Sequence, residues 1–117
     1  MTAGHDLIRR YFDAIGREDV EAAMACIHPE ADILDQVEGG RLRGSAQIRA
    51  YLLRAFEMIR SDNSVADFTK DAHGDVEVTV NHHVTSRDGN LWHDGPQSYR
   101  VSFRDGLIVR LDRLEGP

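Results

Sequence analysis

Cysteine is almost missing from this chain. Cys26 stands alone, which excludes an internal disulfide and any zinc cage built on thiolates. It lies in Ala23-Met24-Ala25-Cys26-Ile27, an apolar helical turn where a free thiol packs as a small hydrophobe rather than serving as a nucleophile. No apolar run approaches the ~20 residues of a membrane span. The opening Met-Thr-Ala-Gly-His-Asp also lacks the apolar stretch of a signal peptide, so a cytoplasmic protein with no membrane partner is expected. Basic charge is short as well: 14 Lys and Arg against 20 Asp and Glu leave a net charge of −6. The basic residues are scattered, without the stripe that a phosphate backbone needs, and nucleic acid is not an expected partner. No Gly-rich phosphate loop is present, and no cofactor is expected.

What remains is an ordinary folding composition. With 117 residues, 41% hydrophobic and 29% charged, the chain fits one domain spanning 1–117, with a single core. Leu7, Ile8, Tyr11, Phe12 and Ile15 make one face of a helix that stops near Gly16. Asp19 caps a short second helix through Ala22, Ala23, Cys26 and Ile27, ended by Pro29. Gly44-Ser45 opens a third helix, with Ile48, Leu52, Ala55, Phe56 and Ile59 on its buried face. Between these last two helices, Ala31 to Val37 alternates as a short strand.

After Asn63 the period changes to two. Val76, Val78, Val80 and Val84 alternate with Glu77, Thr79, Asn81 and Thr85, and a strand from Val65 to Lys70 is expected before them. Arg87-Asp88-Gly89-Asn90 and Asp105-Gly106 read as hairpin turns. Leu91 to Arg104 is extended, with Gly95-Pro96 marking a bulge or bend, and Leu107 to Leu114 returns as the last strand. Helices followed by a meander predict an α+β domain with one sheet face packed on helices, where sheet curvature can open a cavity.

Three stretches are shared with a known family. Leu7 to Asp19, Ile27-His-Pro-Glu-Ala-Asp32 and Gly44-Ser-Ala-Gln-Ile48 resemble the nuclear transport factor 2-like superfamily, within it the SnoaL-like and ketosteroid isomerase-like branch. Phe103 to Leu111 is similar to that branch's closing hairpin. The resemblance covers nearly the whole chain and implies a cone, a bent antiparallel sheet around a long helix, dimerised through its outer face. It also implies a cavity for a small apolar organic ligand and cofactor-free proton transfer: isomerisation, dehydration or cyclisation of an oxygen-bearing ring compound. The alternative on the same fold is a non-catalytic ligand-binding or dimerisation module.

The resemblance extends to single residues. From Tyr11 to Leu52 the patterns align without a gap, so that the family's oxyanion-hole tyrosine falls on Tyr11 and its general-base aspartate on Asp35. The second oxyanion donor falls near Tyr99, a phenol where the family has a carboxylic acid, and Gln36 stands where the family has proline. The cavity would be lined by Phe12, Tyr51 and Phe56 from helices, and by Ile33, Val80, Val101, Phe103 and Leu111 from strands.

The residues themselves leave choices open. Alternation puts Asp35 on the face of Ile33 and Val37, where a carboxylate is costly to ionise and suits a general base; if Leu34 faces inward instead, Asp35 sits in water. Tyr11 and Tyr99 are each either core tyrosines or hydrogen-bond donors to a bound oxygen. His82 continues the Val76-Val78-Val80 face, as a satisfied core histidine or as a base beside the pocket. Arg113 shares the face of Val109 and Leu111, needing Asp35 or a substrate carboxylate as its partner unless it lies at a solvated edge. Trp92 walls the pocket mouth or packs in the outer dimer face. His82 and His83 point apart and cannot chelate one metal, and His73 and His93 lack a carboxylate at ligand spacing, so no metal is expected.

Overall fold

The computed structural model describes residues 2–36, 39–72 and 74–114. Helix α1 (Thr2–Gly16) carries Leu7, Ile8, Tyr11 and Phe12 on its buried face. Helix α2 (Val20–Met24) starts at Asp19, whose side chain accepts a hydrogen bond from the Ala22 N–H at 3.0 Å. Strands β1 (Ile27–Leu34) and β2 (Arg41–Arg43) precede helix α3 (Ser45–Met58). Strands β3 (Ile59–Ala72), β4 (Asp75–Ser86), β5 (Leu91–Arg104) and β6 (Leu107–Leu114) complete the chain. Asp105 and Gly106, with φ of 54° and 75°, make the two-residue turn between β5 and β6, a left-handed pair that suits Asp-Gly. Among the described residues, no helix is long and apolar enough to cross a membrane.

The strands form one curved, unclosed sheet in the order β2-β1-β6-β5-β4-β3, antiparallel except for the β1–β6 pair. Alternation turns Val76, Val78, Val80 and His82 of β4, and Tyr99 and Val101 of β5, toward the helices. On the opposite face, Arg41 bridges Asp32 and Asp112 at 2.7 Å each, and Arg110 adds a 2.7 Å bond to Asp112. Burial works to raise the Asp112 carboxyl, but the hydrogen bonds and charges of Arg110 and Arg41 outweigh it and hold the group below its ordinary range. Ile48 is fully buried where α3 meets the core. Ile48→Ala is expected to cost about 2–5 kcal/mol, read as a lowered urea midpoint with an unchanged slope.

Several boundaries differ from the sequence pattern, the end of α2 at Met24 rather than past Ile27 among them, because distant partners decide the local state. The first strand begins at Ile27 rather than Ala31, since Ile27 pairs with Ile108 and the Ile108 N–H bonds to the Cys26 carbonyl at 2.9 Å. It also ends earlier, at Leu34. The Asp35 N–H bonds to the Gly40 carbonyl and the Gly39 N–H to the Asp35 carbonyl, so the chain turns there, and Val37 lies outside the described residues. Strand β3 starts at Ile59, which the helical pattern had included, and runs to Ala72, because β4 pairs with it from Ser86 back to Asp75. At Gly95-Pro96 the β4–β5 register runs on without a break; the irregularity falls at Val84/Thr85 instead. Gly95 has φ of 143°, a backbone state that side chains disfavour.

Candidate active site

Between the helices and the inner face of the sheet lies a cavity of about 280 Å³. That is near the lower end for small-molecule sites, room for a compact ring compound rather than a long chain. Helix α1 contributes Tyr11 and Phe12, α3 contributes Tyr51, Leu52 and Phe56, and the end of β1 contributes Ile33, Leu34 and then Gln36. The remaining wall comes from Ser61 and Asn63 of β3, His82 of β4, Trp92, His93, Gln97 and Tyr99 of β5, and Leu111 and Arg113 of β6. Apolar walls with a few convergent polar groups are the usual form of a ligand site.

The polar groups are wired together. Asn63 Nδ2 donates to the Phe12 carbonyl at 3.3 Å, which turns Asn63 Oδ1 toward the Ser61 hydroxyl, 2.7 Å away, and His82 Nδ1, 2.6 Å away. Since Oδ1 can only accept, His82 Nδ1 carries a proton. The other ring nitrogen, Nε2, is 2.6 Å from the Tyr99 hydroxyl, which in turn lies 2.9 Å from Gln36 Oε1. Burial, then the neighbouring charges of His93 and Arg113, pushes His82 down to about 4, so at neutral pH its Nε2 holds a lone pair. Tyr99 then has one proton and two acceptors. When His82 takes up a second proton, Nε2–H donates to Tyr99, Tyr99 donates to Gln36, and every contact in the chain is made. The assembly is a hydrogen-bonded series in which His82, Tyr99, Asn63 and Gln36 all face the cavity.

The phenols stay protonated. Burial first, then the charges of Tyr51, Tyr99 and Cys26, raises Tyr11 far above the ordinary phenol range. Burial likewise raises Tyr99 strongly, with Arg113 and the Gln36 hydrogen bond opposing it. Tyr51 is pushed up to about 12 by burial, against a backbone hydrogen bond from Gln36, with the Asp35 charge adding to the rise. Tyr11, which stays protonated, lines the cavity beside this series.

The structure thus gathers Tyr11, Tyr99, His82, Phe12, Ile33, Tyr51, Phe56, Trp92, Leu111 and Arg113 around one space. Asp35, expected as the base facing the substrate, lies next to the wall residues Leu34 and Gln36 rather than on the wall itself. It is buried where the chain turns after Leu34, and its charge acts on Tyr51 of the cavity wall. Val80 and Val101 are fully buried in the core beneath the cavity rather than on its wall. Phe103 is also off the wall: its ring packs near Gly4, at the start of α1.

The pattern missed Gln36, Ser61, Asn63 and Gln97. Asn63 could not be found locally, because its role comes from pairing opposite His82 across β3 and β4. Gln36 carried a signal, as a departure beside Asp35. Among the described residues no group of three or more His, Cys, Asp or Glu could hold a metal ion, and His73 lies outside them.

Comparison with known proteins places this geometry. A SnoaL-like domain matches residues 8–111, all but the ends of the chain. The chain belongs to the SnoaL-like family. Solved structures share the fold. A nuclear transport factor 2-like protein from Burkholderia pseudomallei superposes with a TM-score of 0.82 at 16% identity, over 99% of this chain and 92% of that one. A candidate polyketide cyclase from Xanthomonas campestris gives 0.78 at 20% identity, over 98% and 91%. A ketosteroid isomerase-like fold protein from Catenulispora acidiphila, in complex with trimethylamine, gives 0.79 at 14% identity, over 94% and 85%. No curated protein sequence matches the chain. The SnoaL-like fold accounts for the cavity's position, while the wiring of Asn63, His82, Tyr99 and Gln36 is a property of these residues.

Proposed function

We propose that this SnoaL-like protein is a cofactor-free enzyme that moves a proton next to the carbonyl of a small ring compound. The observation that carries this reading is the hydrogen-bonded series Asn63–His82–Tyr99 on the wall of a cavity that Tyr11 also lines. As the substrate C–H bond breaks, its proton passes to Tyr99 Oη while the Tyr99 proton passes to His82 Nε2. The electron pair moves into the carbonyl, and the developing oxyanion is held by the Tyr11 O–H, a preorganised donor in a largely apolar space. Asn63 holds the His82 ring and receives its Nδ1–H, which stabilises the imidazolium once formed. Returning the proton at another carbon completes an isomerisation. Carbon attack by the enolate closes a ring, and loss of a β-oxygen is a dehydration. With Tyr99 pushed strongly upward by burial, a phenolate does not accumulate there, which suits a relay.

Tyr11→Phe tests the oxyanion role. It is expected to weaken binding of a phenolate or a cyclic enone analogue by about 1–3 kcal/mol, the cost of leaving a buried oxygen without its donor. Calorimetry that finds unchanged affinity removes Tyr11 from the oxyanion site.

A further inference from the structure

We propose that the ring compound taken by this site carries a carboxylate, and that Arg113 at the cavity mouth receives it. This deepens the proton-transfer reading, since it assumes the same cavity binds the substrate. Arg113 sits in register with Tyr99 across β5 and β6, which puts it on the inner side of the sheet, and it forms part of the cavity wall while remaining exposed. Its charge acts on both His82 and Tyr99. The described lining residues include this guanidinium and no Asp or Glu, although acidic residues outnumber Lys and Arg 20 to 14 in the chain.

The contrast with three other arginines of the sheet sharpens the point. Arg41 and Arg110 are held by Asp32 and Asp112, and Arg100 by Glu77. Arg113 forms no ion pair with a carboxylate among the described residues. A cation beside a desolvated base lowers that base's affinity for a proton, as it does for His82 here. A bound carboxylate reverses this effect: it offsets the Arg113 charge and makes His82 a stronger proton acceptor when substrate is in place. Carboxylate binding by a guanidinium fork also orients the ring, with its carbonyl directed inward toward Tyr11.

The test compares 3-oxocyclohex-1-ene-1-carboxylate with its neutral carboxamide by calorimetry, in wild type and in Arg113→Gln. Wild type is expected to bind the carboxylate at least about tenfold more tightly, a preference that shrinks at high salt and vanishes in the variant. Equal wild-type affinity for the two probes overturns the inference, as does a preference that survives Arg113→Gln. Deuterium exchange into the probes separates this failure from that of the parent reading. If both probes bind equally and exchange in a Tyr99-dependent way, only the carboxylate assignment falls. If neither binds, both readings fall.

Discussion

Tyr99→Phe is expected to slow deuterium exchange into a bound cyclic enone by about 10²–10³-fold, the loss typical when one preorganised hydroxyl leaves a catalytic site. The substitution keeps the ring and its packing against Phe12, whose centroid is 5.5 Å away, but removes the hydroxyl hydrogen-bonded to His82 Nε2. Proton transfer then lacks its relay, while the apolar wall that binds the ring persists. The expected signature is therefore a fall in exchange rate with affinity changed little, followed by NMR in deuterated water. His82→Gln should give a similar loss, and combining the two should cost little more than either alone, because the residues act as one unit. Full exchange in the Tyr99→Phe protein would mean that the proton leaves by another route.

Stability should fall steeply in mild acid, and His82 should be a main cause. Its ordinary value of 6.5 applies to the unfolded chain, while burial, with help from His93 and Arg113, holds it at about 4 in the fold. Above pH 6.5 the ring is neutral in both states and the fold keeps its full stability. Between pH 6.5 and about 4 the unfolded chain takes up a proton that the folded chain refuses, so stability drops as pH falls. Below about 4 both states are protonated and this loss levels off. The gap corresponds to roughly 3 kcal/mol. Urea midpoints measured from pH 7.5 to pH 4 should fall more for wild type than for His82→Gln, and parallel profiles would show that His82 is not the group being refused its proton.

Much of this molecule is written in local pattern. The apolar face of α1, the Asp19 cap, the β4 alternation and the Asp105-Gly106 turn each follow from side-chain spacing or backbone preference, and each recurs in the structure. These features act within a few residues, which is why a sequence displays them. The inward face of β4 also carried His82 with it, since a period of two leaves no choice once Val76, Val78 and Val80 are buried. Tertiary structure decided the rest. Ile27 became strand because Ile108 lies beside it, and β1 ends before Asp35 because two glycine backbone groups close a turn around it. The hydrogen-bonded series belongs wholly to this second level. Gln36, Asn63, His82 and Tyr99 come from four separate segments, and no spacing along the chain encodes distances of 2.6–2.9 Å between them. Residue type and face were set by the local chain; which acceptor each proton meets was set only when the sheet brought those segments together.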